Sequence, residues 1–191
     1  MNRLSKYLAA IALLPVALGA AEPDALVRRL EELGRIAAVM VDGDVAQRLI
    51  TPRAVAKMTV VDPRDRWAGS DNYDVEAAAF LTTKKTLRRL ALLVDFHCDV
   101  NLWLPVGADG KSIGIAVRNV NELSQFWKWG DLYQPTPPAM RKTLDTGQRQ
   151  TVREKPGWIS VLAPVSNSLG DRVGLVEVVT RLNPDPQEGV K

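Results

Sequence analysis

A single carboxylate interrupts an apolar run at Glu177, between Val176 and Val178. Buried bare, such a charge is costly, so it must be paired, hydrogen-bonded or protonated. It suits a pocket wall that grips a cationic ligand, and it equally suits an ion pair with Arg118 or Arg181. Trp158 and Ser160 share a strand parity and can line the same wall. Arg118 carries a planar guanidinium able to hold a carboxylate or phosphate through two parallel N–H bonds, or to pair with a nearby acid. Trp127, Trp129 and Tyr133 cluster in FWKWGDLY. Aromatic bodies with polar tips make either a ligand cage or a packed lid. The candidate ligand-binding set is therefore Arg118, Trp127, Trp129, Tyr133, Trp158, Ser160 and Glu177.

Catalytic chemistry finds less support. His97 adjoins Cys98, but neighbours in a strand point to opposite faces and do not form a dyad. The chain has one His and one Cys. That is too few for a structural zinc site, and C-x-x-C-H haem attachment is lacking. Asp62, Asp65, Asp71 and Asp74 lie close in sequence, yet their spacing misses the calcium-loop pattern. There is no G-x-S-x-G, phosphate loop or dinucleotide fingerprint. No catalytic residue, metal or cofactor is expected, and the one open alternative, a noncovalent haem with His97 as axial ligand, has no motif behind it.

The elements that must position these residues follow from periodicity. The run 157–183 predicts two long strands joined by Ser168-Leu169-Gly170-Asp171, whose Gly and Asp tolerate a tight reversal. Both parities are apolar, so this sheet should be covered on both faces. Asp24–Val41 reads as a helix with Leu26, Leu30, Leu33, Ala37 and Met40 on one side. Gly43 interrupts it, another turn or two follows over Asp44–Ile50, and Ala54–Val61 is ambiguous. Asp62–Tyr73, containing Trp67, is a loop. Asp74–Val94 is a second helix capped by Asp74, and its KKTLRR cluster reads as a solvated face. Asp95–Val106 and Ser112–Val120 are strands around GADGK, with Ile113, Ile115 and Val117 sharing a face. Asn121–Tyr133 begins like a capped helix and ends at Gly130. Ala139–Thr146 is a short helix stopped by Gly147, and Gln148–Glu154 is an edge strand.

At 191 residues, 46% hydrophobic and 25% charged, the chain is long and apolar enough for one folded domain. The formal charge of +3 includes Arg3 and Lys6. These belong to MNRLSKYLAAIALLPVALGAAEP, whose charged end, apolar middle (Tyr7–Leu18) and small residues Gly19-Ala20-Ala21 match a secretory leader. The remainder is nearly neutral, which gives no footprint for nucleic acid. The organisation expected is a leader over 1–21, one domain over 24–182 and a Pro-rich tail over 183–191, in a periplasmic or secreted protein.

The helix-first order, the hairpin at GADGK and the ending PVSNSLGDRVGLVEVV resemble the extracytoplasmic Cache (PDC) sensor domains. Pro164-Val165, Gly170 and Val173-Gly174-Leu175-Val176 carry most of the likeness. It implies an α+β fold with a PAS-like five-stranded antiparallel sheet. A long N-terminal helix would cover one face, and short helices would roof a pocket on the other. Most Cache domains lie between two membrane spans and feed an output domain. This sequence shows neither, which suggests a free sensor that relays ligand binding to a membrane signalling partner, with the N-terminal helix as a homodimer seam. The Tyr, Arg, Trp-Tyr and Asp signature of the amino-acid-binding subgroup is not reproduced by FWKWGDLY. The expected function is thus small-molecule sensing without catalysis. The alternative is a structural or protein-interaction module of the same fold with no pocket.

Overall fold

The computed structural model describes residues 23–58, 77–107, 110–121, 123–126 and 134–182. The leader, the Asp62–Tyr73 loop with Trp67, the Asp74 cap, the aromatic run 127–133 and the tail lie outside these residues. Five helices and five strands follow in order: α1 (Pro23–Met40), α2 (Gly43–Gln47), α3 (Pro52–Met58), α4 (Ala77–Ala91), β1 (Asp99–Val106), β2 (Ser112–Val117), α5 (Pro138–Thr146), β3 (Gln150–Val152), β4 (Trp158–Ser166) and β5 (Arg172–Arg181).

The strands form one sheet in the order β2-β1-β5-β4-β3, with every neighbouring pair antiparallel. This is the PAS-like α+β arrangement that the resemblance implies. The long hairpin β4–β5 lies in the sheet interior, and β5 is buried continuously from Gly174 to Thr180. On one face Leu30, Leu33 and Ala37 of α1 and Leu87 and Leu90 of α4 pack against Val100, Leu102, Val161, Ala163, Val176 and Val178. On the other, Met140 and Leu144 of α5 pack with Trp103, Ile113, Phe126, Val152, Leu162 and Leu175. Two-sided burial is the reason both parities of β4 and β5 are apolar.

Close approach fixes two glycines. A Cβ on Gly43 would lie 2.3 Å from the Ser166 carbonyl oxygen, so the start of α2 can touch the end of β4 only without a side chain. Gly147 ends α5 in the left-handed region at φ 70°, its N–H donating to the Thr143 carbonyl at 2.9 Å.

Several boundaries differ from the sequence reading. β1 starts at Asp99, so His97 and Cys98 precede the strand and the alternation argument for them does not apply. The Cys98 thiol is buried, and that burial pushes its pKa up to about 12. α4 closes at Ala91 rather than Val94. α2 begins at Gly43, because the Asp42 side chain accepts the Val45 N–H at 3.0 Å and caps it there. β2 ends at Val117, which leaves Arg118 outside the strand. Within β2 the pairing jumps from Trp103–Ile115 to Leu102–Val117, which leaves Ala116 as an extra residue. Val117 therefore joins the α1/α4 side, opposite Ile113 and Ile115, and the three do not share a face.

Candidate functional site

Glu177 occupies the middle of β5, on the face away from α1. Its cross-strand neighbours are Asn101 on β1 and Leu162 on β4. Trp103 and Ser160 lie diagonal to it, within reach of a carboxylate. The residue is 0% exposed. Each carboxylate oxygen takes one N–H and one hydroxyl: Oε2 accepts from Trp103 Nε1 (3.1 Å) and Ser124 Oγ (2.5 Å), and Oε1 from the Gln125 backbone N–H (3.0 Å) and Ser160 Oγ (2.8 Å). Among the described residues, none of the hydrogen-bond partners of Glu177 is cationic. Burial raises its pKa, and the four donors only partly offset that rise.

Asp99 and Asn101 extend this polar strip along β1. Asp99 accepts the Leu123 N–H at 2.8 Å and the Asn121 side-chain amide at 3.0 Å. Burial raises its pKa as well, against those same bonds. Asn101 donates to the Leu123 carbonyl at 2.7 Å and accepts the Asn119 N–H at 3.0 Å. Asn119 in turn donates to the Leu87 carbonyl at the end of α4, at 3.2 Å.

The chain over this strip, 119–121 and 123–126, is irregular, although the sequence predicts a capped helix from Asn121. Its amide groups are already taken. Leu123 N–H goes to Asp99, Gln125 N–H to Glu177, and Phe126 N–H to Ser124 Oγ at 3.0 Å. A helix would need those donors for its own carbonyls or caps, and the charge-assisted bonds to the sheet prevail. Gln125 then fastens the segment to the β3–β4 turn. Its amide donates to the Val152 carbonyl at 2.8 Å, and its oxygen accepts the N–H groups of Glu154 (2.7 Å) and Lys155 (3.1 Å). Lys155 Nζ donates to the Ser124 carbonyl at 3.0 Å.

Of the predicted site residues, Glu177 and Ser160 are brought into direct contact. Trp158 is half-buried at the start of β4, with Lys155 Nζ 5.6 Å and Arg181 Cζ 4.8 Å from its ring centroid, so two cations already cover it. Arg118 lies apart, beyond the end of β2, where its carbonyl accepts from Lys84 Nζ. Trp127, Trp129 and Tyr133 lie outside the described residues. Sequence reasoning missed Asp99, Asn101, Ser124 and Gln125. The signal available was polar residues at alternate positions of β1, whose other parity, Val100, Leu102, Leu104 and Val106, is wholly apolar.

A groove of about 550 Å³ between α5 and the β4–β5 turn is lined by Arg141 and Arg172. Arg141 donates to the Gly110 carbonyl at 2.5 Å, while Arg172 donates to the carbonyls of Leu144 and of Asp145 (2.9 Å for the latter). Arg172 holds the C-terminal end of α5, where positive charge suits the helix dipole, and Arg141 ties α5 to the β1–β2 turn. The chain matches no protein-family model, and no curated protein is similar enough to count as a relative.

Proposed function

We propose that the chain is an exported, non-catalytic sensing or binding module that takes a small molecule on the second face of its sheet and relays the change to a partner. One observation carries this reading. The middle of that face is polar, and it holds an irregular strap, 119–121 and 123–126, by hydrogen bonds with the side chains of Asp99, Asn101 and Glu177. A face built for packing alone would be apolar and covered by a helix. A strap held through exchangeable hydrogen bonds has a position that a competing ligand can shift. The strap leads directly into Trp127, Trp129 and Tyr133, the aromatic residues best suited to meet a ligand. The PAS-like sheet and the Cache-like ending PVSNSLGDRVGLVEVV support the same reading.

A thermal-shift screen of organic acids, amines and nucleobases tests it. A ligand present at about 100 times its dissociation constant stabilises the native state by about 2.7 kcal/mol, a shift of several degrees in Tm. Replacing Trp127 and Trp129 by Ala should abolish the shift. The second reading, an interaction module without a pocket, is favoured by the occupancy of Glu177, whose donors all come from its own chain. Indifference across the whole screen would select it.

A further inference from the structure

The outward side of α4 is chemically one-sided. The helix carries Lys84, Lys85, Arg88 and Arg89 and no acid. Lys84 is turned inward to the Arg118 carbonyl. Lys85, Arg88 and Arg89 are exposed, and among the described residues no acid pairs with them. Leu81, Lys85, Arg88 and Leu92 follow one another at spacings of four, three and four, so they form one outward stripe. Apolar residues end that stripe: Leu81 is 55% exposed and Leu92 82%.

The end at Leu92 is the heavier. Leu92 and Leu93 close α4 in a tight turn, their N–H groups bonding the Arg89 and Leu90 carbonyls at 3.1 and 3.0 Å. Leu93 is 61% exposed and the nearby Val120 57%. Arg88, Leu92, Phe96 and Val120 line a common open groove of about 440 Å³. Asp95, the acid at this rim among the described residues, is already paired with Arg29 at 2.5 Å, whose guanidinium also lies 4.9 Å from the Phe96 ring centroid. Arg29 belongs to the early part of α1.

We infer that this end of the molecule, Leu92, Leu93 and Val120 collared by Lys85, Arg88 and Arg89, is a docking surface for an anionic lipid bilayer. A protein partner would need a matching shape. A bilayer needs only exposed apolar side chains that enter the acyl boundary while cations stay at phosphate level. Exposed leucines beside a basic collar that pairs with no acid among the described residues meet that requirement. The inference is independent of any ligand beneath the strap.

The test labels the full-length Leu92→Cys variant with an environment-sensitive fluorophore. Cys98, buried with its thiol pushed up to about 12, does not compete for the label. The Leu169→Cys variant, at the exposed tip of the β4–β5 hairpin, is the control. With mixed phosphatidylglycerol–phosphatidylcholine vesicles, emission at position 92 should shift to the blue and emission at 169 should not. Changing Arg88 and Arg89 to Gln should weaken vesicle binding on the order of 25-fold, about fivefold per cation. Pure phosphatidylcholine should bind far less. The inference is overturned by an unshifted label at 92, by equal shifts at both positions, or by binding that ignores the arginines or the lipid charge. A shift without vesicles that grows with protein concentration would also overturn it, in favour of a second copy of the chain.

Discussion

Ionised, Glu177 gives each of its oxygens one rigid N–H and one hydroxyl that can turn. Glutamine at this position would aim its NH2 at either Trp103 Nε1–H or the Gln125 N–H, whichever way the amide is flipped. Neither of those donors can become an acceptor. Glu177→Gln should therefore destabilise the fold by about 2–4 kcal/mol in urea unfolding. Protonated glutamate is better tolerated, since its O–H can point to Ser124 or Ser160, which is consistent with the raised pKa. The sign of the pH effect follows. A carboxyl raised above its ordinary value of 4.5 contributes stability that is full below that value and is lost as pH climbs through the folded-state pKa. Unfolding measured from about pH 4 to about pH 9 should show the wild-type advantage over Glu177→Gln widest in acid and narrowing as pH rises. The sequence marked Glu177 as a buried carboxylate needing partners. It placed Ser160 on the same wall but could not name Gln125 and Ser124, which lie 52 and 53 residues away and belong to no regular element.

At the level of elements, β4 and β5 were legible because apolar residues on both parities admit few arrangements, and the Ser168–Asp171 turn fixes their register. α1 was legible for the same reason, as an unbroken apolar stripe. The strap 119–126 was not, since its local signals favour a helix while its decisive bonds come from Asp99, Asn101 and Glu177 on other elements. Asn101→Ala tests that priority. Both ends of its amide are buried and bonded, so truncation leaves the Leu123 carbonyl and the Asn119 N–H unsatisfied. A loss of about 2–4 kcal/mol is expected in denaturant unfolding, with faster amide exchange confined first to the strap. Gly43→Ala should cost about 1–3 kcal/mol, because the added methyl meets backbone rather than a yielding side chain. Gly147→Ala should cost about 1 kcal/mol through the left-handed φ alone, seen as a lowered Tm.

For the whole molecule, the two faces of the sheet are held by different means. The α1/α4 side is an apolar core, whereas the α5 side mixes an apolar cluster with the polar strip beneath the strap. Raising pH or competing for hydrogen bonds should loosen the second side before the first, which deuterium exchange on the intact protein can read. Truncating a buried leucine of the first side should instead act globally: Leu30→Ala, at a site 0% exposed, is expected to remove about 2–5 kcal/mol of unfolding free energy. The extra residue at Ala116 has a bearing on solubility. β2 is an outer strand, and an outer strand with straight, regular pleats invites a foreign ribbon to add on. The kink at Ala116 twists that margin out of line, so neighbouring molecules in a crowded solution find no continuous template for fibril growth. A chain lacking Ala116 should form amyloid-dye-positive aggregates sooner than the parent at equal concentration.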